Sequence, residues 1–264
     1  MTRLATGMPL FERYIGIDYS GAATPVARLR GLRVFVGDRR GGATEQRDPQ
    51  FPDRNWSRAR LASWLLTRLL EEQPTIVGLD HAFSYPLGII EGTASGRWDD
   101  FLCWFEERWP TRTRTVRESI SANQSALVMH GEALRLTDRC APTAMPICKG
   151  WEANGPNVFY STHAGIPWLR WLREQAGKKV HFWPFDGFEV PVGTSVIAEV
   201  YPRIFSRRYE TSDAFTSDQR DAWLVCQWLR DRDGRDCLGP WFRPPLDDDE
   251  QRQARREGWI LGVS

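Results

Sequence analysis

The chain of 264 residues contains no apolar run long enough to cross a membrane, which argues against an integral membrane protein. Its first residues, MTRLATGMPLFER, carry one early arginine and no extended apolar core, so a secretory signal peptide is not expected and the cytoplasm is the expected location. Net charge is also scarce. Thirty-five basic residues against thirty-four acidic ones leave +1, which provides no global attraction to a polyanion. Any such binding must come from a local patch. The five cysteines (Cys103, Cys140, Cys148, Cys226 and Cys237) form no CxxC pair and no zinc-like spacing with histidine, so reduced thiols are expected. No internal repeat is visible either.

What is present suits one α/β domain, spanning 1–264. RYIGID (13–18) and TIVGLD (75–80) read as buried strands, each ended by an aspartate. ARLRGLRVFVGDRR (27–40) alternates like a half-exposed antiparallel strand or hairpin. NWSRARLASWLLTRLLEEQ (55–73) has helical spacing, with Asn55 or Ser57 as cap and Pro74 as stop. Residues 87–177 read as a helix and loop insertion. It holds a helix stopped near Pro110, Pro- and Gly-rich loops over 137–157, and a helix opened by Pro167 and closed by Gly177. KKVHFWPF (178–185) and TSVIAEVYP (194–202) are strand candidates, and TSDQRDAWLVCQWLRDR (216–232) is a helix capped by Ser217. The thirteen tryptophans are expected mainly in the core.

One anomaly recurs. Asp18 and Asp80 end apolar strands, Glu199 lies inside one, and Asp221 borders the apolar stripe of the last long helix. A strand-end aspartate alone is an ordinary turn residue, and Asp218 suits a first helical turn whatever its function. Glutamate between Ile197, Ala198, Val200 and Tyr201 is harder to explain. Buried carboxylates close together repel unless protons or cations neutralise them, and Mg²⁺ or Mn²⁺ accepts such all-oxygen ligands. Ser20 and Gly21 leave space beside Asp18 for metal or phosphate. Arg112 and Arg114 belong to an acid-free stretch, 108–117, that with Trp104 and Trp109 could supply phosphate contacts and base stacking.

The order strand-Asp, strand-Asp, strand-Glu, helix-Asp resembles the ribonuclease H-like superfamily. The segments YIGIDYSGA, VGLDHAFSYP, WPFDGF, AEVYPR, DQRDAWLVCQWL and EGWILGV are more closely similar to the predicted nucleases with a ribonuclease H fold, domain of unknown function 429. That resemblance runs from about residue 14 to 263. It implies a mixed five-stranded sheet flanked by helices, and a Mg²⁺- or Mn²⁺-dependent nuclease acting on nucleic acid. It makes Asp18 the first-strand acid bridging both metals, Asp80 the central-strand acid and Asp221 the helix acid, with Glu199 a further ligand or water-orienting group. Asp218 is a companion ligand, Arg203 and Tyr201 phosphate or carboxylate contacts, and His81 a proton shuttle. Asp186 in WPFDGF is assigned to a turn.

A non-catalytic nucleotide- or partner-binding protein on the same scaffold is the alternative, favoured by the near-neutral charge and the tryptophan-rich insertion. A sugar-kinase or actin-type ATPase would need a second Gly-rich phosphate loop, which the sequence lacks.

Overall fold

The computed structural model describes residues 9–91, 96–123, 133–141, 147 and 158–264. Cys148 and most of the 137–157 segment fall outside these residues. The architecture is α/β, with a mixed sheet of six strands where five were expected. β1 (Arg13–Asp18), β2 (Arg33–Asp38) and the short β3 (Thr44–Glu45) form an antiparallel meander. β4 (Thr75–Asp80) pairs parallel with β1 on its other side, followed by β6 (Ser195–Glu199) and β5 (Val180–Trp183), also parallel. The order across the sheet is β3-β2-β1-β4-β6-β5. The hairpin expected over 27–40 is thus narrower, because only 33–38 is strand and its turn leads to β3.

Alternation along the strands separates two cores. Ile15, Ile17, Tyr19, Val77, Leu79 and Ile197 face α1 (Arg58–Leu70) and α6 (Val158–Ala176). Tyr14, Ile76, Val196, Ala198 and Val200 face α7 (Ser217–Gly234), which contributes Ala222, Val225, Cys226 and Leu229. Helices α2 (Leu87–Ile90), α3 (Trp98–Arg108), α4 (Val116–Ala122) and α5 (Leu136–Cys140) lie within the expected insertion, and α8 (Asp248–Glu257) follows α7. Among the described residues no helix is long and apolar enough to cross a membrane.

Two helix starts differ from expectation. Thr216, rather than Ser217, caps α7: its side chain accepts from Gln219 N–H, and Gln219 reaches back in a capping box. Helix α6 begins well before Pro167, which lies inside it. Proline has no N–H to offer the carbonyl four residues back, that of His163. Thr111 Oγ1 donates to that carbonyl at 2.7 Å, so the interrupted ladder leaves no buried acceptor unpaired. Ser57 caps α1 as expected, accepting from Arg60 N–H.

Gly16 and Gly78 are direct neighbours in the parallel β1–β4 pair. A Cβ on Gly16 would stand 2.2 Å from the Ala222 carbonyl oxygen and 2.4 Å from Cys226 N, and one on Gly78 would stand 2.5 Å from Val225 Cγ1. The pair forms a trough into which α7 settles. Gly16→Ala should therefore cost about 1–3 kcal/mol or more in urea unfolding, because backbone rather than a flexible side chain must move. Gly42→Ala, with nothing within 4 Å of its Cβ position, should be close to neutral and serves as the control.

Candidate functional site

Both acid-bearing strands end in Gly-x-Asp, and a two-residue step returns to the same sheet face. Asp18 and Asp80 are therefore register partners on the α7 side, one step beyond the glycine trough. The first two turns of α7 bring Asp218 and Asp221 over the same end of the sheet, at i, i+3 spacing. Burial first, then the charges of Asp80, Asp218 and Asp221, push the Asp18 carboxyl up to about 9. Asp80 is raised well above its ordinary range by burial, Asp221 and Glu199. Asp221 is raised by burial and Asp218, against the opposing charges of Arg220 and Arg203. Among the described residues none of these four aspartates has a basic side chain within ion-pair distance.

Ser20 joins this group. A Cβ on Gly31 would lie 3.3 Å from Asp218 Oδ2 and 3.6 Å from Ser20 Oγ, so both side chains border one spot beside the loop that leads into β2. Arg203 is exposed just after β6, and its positive charge reaches Asp221.

Glu199 behaves differently. It is the register partner of Leu79, whose side chain lies in the α1–α6 core, so it leaves the sheet on the face opposite Asp18 and Asp80. Both its oxygens are occupied by Arg135, at 2.6 Å from Nη2 and 2.8 Å from Nη1, and Phe83 N–H adds a bond of 3.1 Å. Arg135 also grips Asp138 through Nε and Nη2. Burial works against the guanidinium charge, but Asp138 and Glu199 outweigh it and hold Arg135 protonated. The further ligand expected at Glu199 is thus part of a buried ion network joining α5, β6 and the loop after β4. Arg135 itself carried no sequence signal, since an arginine in LRLTDRC reads as a surface residue until α5 is docked.

The remaining candidates lie elsewhere. His81 is buried, with Nδ1–H donating to the Ala82 carbonyl at 2.9 Å and its ring packed on Tyr19 and Phe83. Burial lowers its pKa to about 4, so it stands as a neutral core ring rather than the expected shuttle beside Asp80. Arg112 pairs with Glu106 of α3 and sits over the Trp168 ring of α6, 5.9 Å from its centroid. Arg114 is exposed in the turn after α3. Trp109 is buried against Phe105 and His163, and Arg108 covers Trp104 at 4.4 Å. Arg112 and Trp109 therefore belong to the α3–α6 layer and Trp104 is covered by Arg108, while Arg114 and Arg117 stay exposed. Asp186 forms the expected turn, accepting from Phe182 N–H at 2.8 Å and from Arg173 at 2.6 Å.

The donor set of the aspartate cluster is hard, anionic and entirely oxygen, which suits Mg²⁺ or Mn²⁺. Among the described residues no group of three Asp, Glu, His or Cys side chains is placed to hold a metal ion. An ion that keeps several of its own waters requires fewer protein ligands than that.

Two outcomes follow from this geometry. Asp18 titrates near 9 in the fold against an ordinary 3.8, so the native state retains a proton that the unfolded chain releases. Its contribution to stability is complete below about pH 4 and is lost as pH rises through 9. In EDTA, Asp18→Asn should be at least as stable as the parent at pH 5, and its advantage in urea midpoint should grow steadily to pH 9. Glu199→Gln should instead destabilise the protein by about 3–5 kcal/mol at neutral pH, because it leaves the buried Arg135 charge under-compensated. If Glu199 were an open ligand, that substitution would resemble Asp18→Asn.

No protein-family model matches the chain, and no curated protein or solved structure matches it.

Proposed function

We propose that this protein is a divalent-metal-dependent nuclease of the ribonuclease H-like type, related to the predicted nucleases named above, and that it hydrolyses phosphodiester bonds of nucleic acid in the cytoplasm. The observation that carries the reading is the set of four aspartates gathered at one end of the sheet with no basic side chain at ion-pair distance among the described residues. Neutralising such a group takes either protons or a bound cation. The sheet order supports the fold assignment, with β1 between an antiparallel β2 and a parallel β4 and the long helix α7 behind it. Reduced thiols suit the location, since Cys103, Cys140, Cys226 and Cys237 are all unpaired.

On this reading Asp18 and Asp80, fixed on adjacent strands, hold the ion, and Asp221 with Asp218 complete the acidic wall from α7. Bound Mg²⁺ or Mn²⁺ would polarise a phosphoryl oxygen and lower the pKa of an attacking water. The protein's own contribution is rigid placement, because the Gly16–Gly78 trough sets the distance between the strand acids and the helix acids. Arg203 offers a positive charge to a phosphate beside Asp221, and Ser20 a hydroxyl next to Asp218. The protons held by the crowded carboxylates must leave as the ion enters, so metal affinity should rise with pH.

The experiment uses purified full-length protein with Mn²⁺ and labelled single-stranded, duplex and hybrid oligonucleotides. Cleavage is expected for the parent and should fall to background in Asp18→Asn and Asp80→Asn. In parallel, Mn²⁺ should raise the Tm of the parent and not of Asp18→Asn. Absence of both cleavage and the metal-dependent Tm shift overturns the proposal. Cleavage that survives Asp18→Asn does so as well.

A further inference from the structure

Among the described residues two arginines are buried, and they are treated differently. Arg135 faces two carboxylates. Arg58, at the start of α1 and with no exposed surface, has no acidic partner among the described residues. Its Nη1 donates to the carbonyls of Ser20 (3.0 Å) and Ala22 (2.7 Å), and its Nη2 to that of Ala23 (3.1 Å). Those carbonyls solvate part of the guanidinium, but they supply no full negative charge. Burying an uncompensated cation is among the costliest arrangements in a protein interior.

Among the described residues the buried Nε of Arg58 has no partner. The buried hydroxyl of Tyr19 and indole Nε1 of Trp168 have none either. All three residues line one small cavity between the sheet, α1 and α6, whose remaining walls are mainly leucines 61, 65, 79, 169 and 172, with His81 and Gly165. The cavity has a volume of about 10 Å³, the size of a site for one water-sized particle. A tyrosine carries a hydroxyl that can donate, and an indole N–H can only donate. Among the described residues, three that carry an orphaned buried donor, one of them a cation without an acidic partner, therefore line one small space whose other walls are mainly apolar.

We propose that this cavity is a binding site for a single monovalent anion of the halide class, held by Tyr19 Oη–H, Arg58 Nε–H and Trp168 Nε1–H. The site lies behind the aspartate cluster, on the other face of the sheet. Tyr19 and His81 directly follow Asp18 and Asp80, so the ion buttresses the ends of both acid-bearing strands while α1 and α6 close over it. The competing occupant is water. With its Nδ1–H committed to the Ala82 carbonyl, His81 has an unprotonated Nε2, an acceptor that a water would use and a halide would not. The site is independent of any metal or nuclease activity.

The test is a thermal unfolding titration of the full-length protein in EDTA, replacing sodium gluconate by sodium chloride or bromide at constant ionic strength. A saturating rise in Tm of about 2–4 °C is expected once halide exceeds Kd roughly fivefold. Tyr19→Phe, which deletes one donor and little volume, should shift the titration to at least about tenfold higher halide, the effect of losing one hydrogen bond. Trp168→Phe should do the same and serves if the first variant fails to fold. Crystals soaked in bromide should show an anomalous peak between Tyr19, Arg58 and Trp168. Identical unfolding in gluconate and halide overturns the proposal, as does a crystal peak without any stabilisation in solution. A water peak that touches His81 Nε2, with no bromide signal, assigns the cavity to water instead.

Discussion

The close approach of α7 to the centre of the sheet is the constraint on which the rest of this molecule depends. Gly16 and Gly78 stand side by side on β1 and β4, and each lacks the one atom that would hold the helix away. The backbone of Ala222 and Cys226 occupies the space over Gly16, with Val225 over Gly78. Everything at the C-terminal end of these strands inherits that distance. Asp18 and Asp80 sit one pleat beyond the trough, and Asp221 lies immediately before Ala222. The same contact that packs the core thus forces acids from two strands and one helix into a common electrostatic neighbourhood. Burial raises their carboxyl pKa values, and their mutual repulsion raises them further.

The two faces of the sheet handle charge in opposite ways. On the α7 face negative charge accumulates with no basic partner at contact distance among the described residues, a state that protons or a divalent cation relieve. Away from that face, two buried arginines are accommodated differently from each other. One is neutralised by Asp138 and Glu199 in a network tying α5 and β6 together, and Phe83 N–H anchors the same carboxylate. The other, Arg58, is solvated by three carbonyls of the loop that follows Asp18 and otherwise faces a small cavity. Strand parity decides which residue meets which environment, since neighbours such as Asp80 and His81 emerge on opposite sides.

Much of the frame is legible in the residues. Apolar runs bounded by turn residues mark β1, β4 and β6, and the spacing of Leu61, Leu65 and Leu69 marks α1. The sixth strand is two residues long, too short for a periodic signal, and is defined only by pairing with β2. The start of α6 is not legible, because proline usually opens a helix and Pro167 lies inside this one. A threonine some fifty residues earlier in the chain satisfies the carbonyl that Pro167 abandons, and no local rule can anticipate that. The arginines and tryptophans of 104–117 look like a nucleic-acid patch by composition, but Arg112 and Trp109 pack against α6 because their partners there, Trp168 and His163, are brought to them by the fold.

By itself the sequence determined that Asp18, Asp80 and Asp221 would be anomalous, because carboxylates next to apolar strand and helix residues need compensation wherever they lie. It even contained the parity of the trough, in the repeated Gly-x-Asp of RYIGID and TIVGLD. Only the tertiary structure decided that Glu199 belongs to a different charge network. Pairing opposite Leu79 turns its side chain to the other face, where Arg135 takes both oxygens. A sequence records which groups must be neutralised, but register and helix docking choose the partner that neutralises each one.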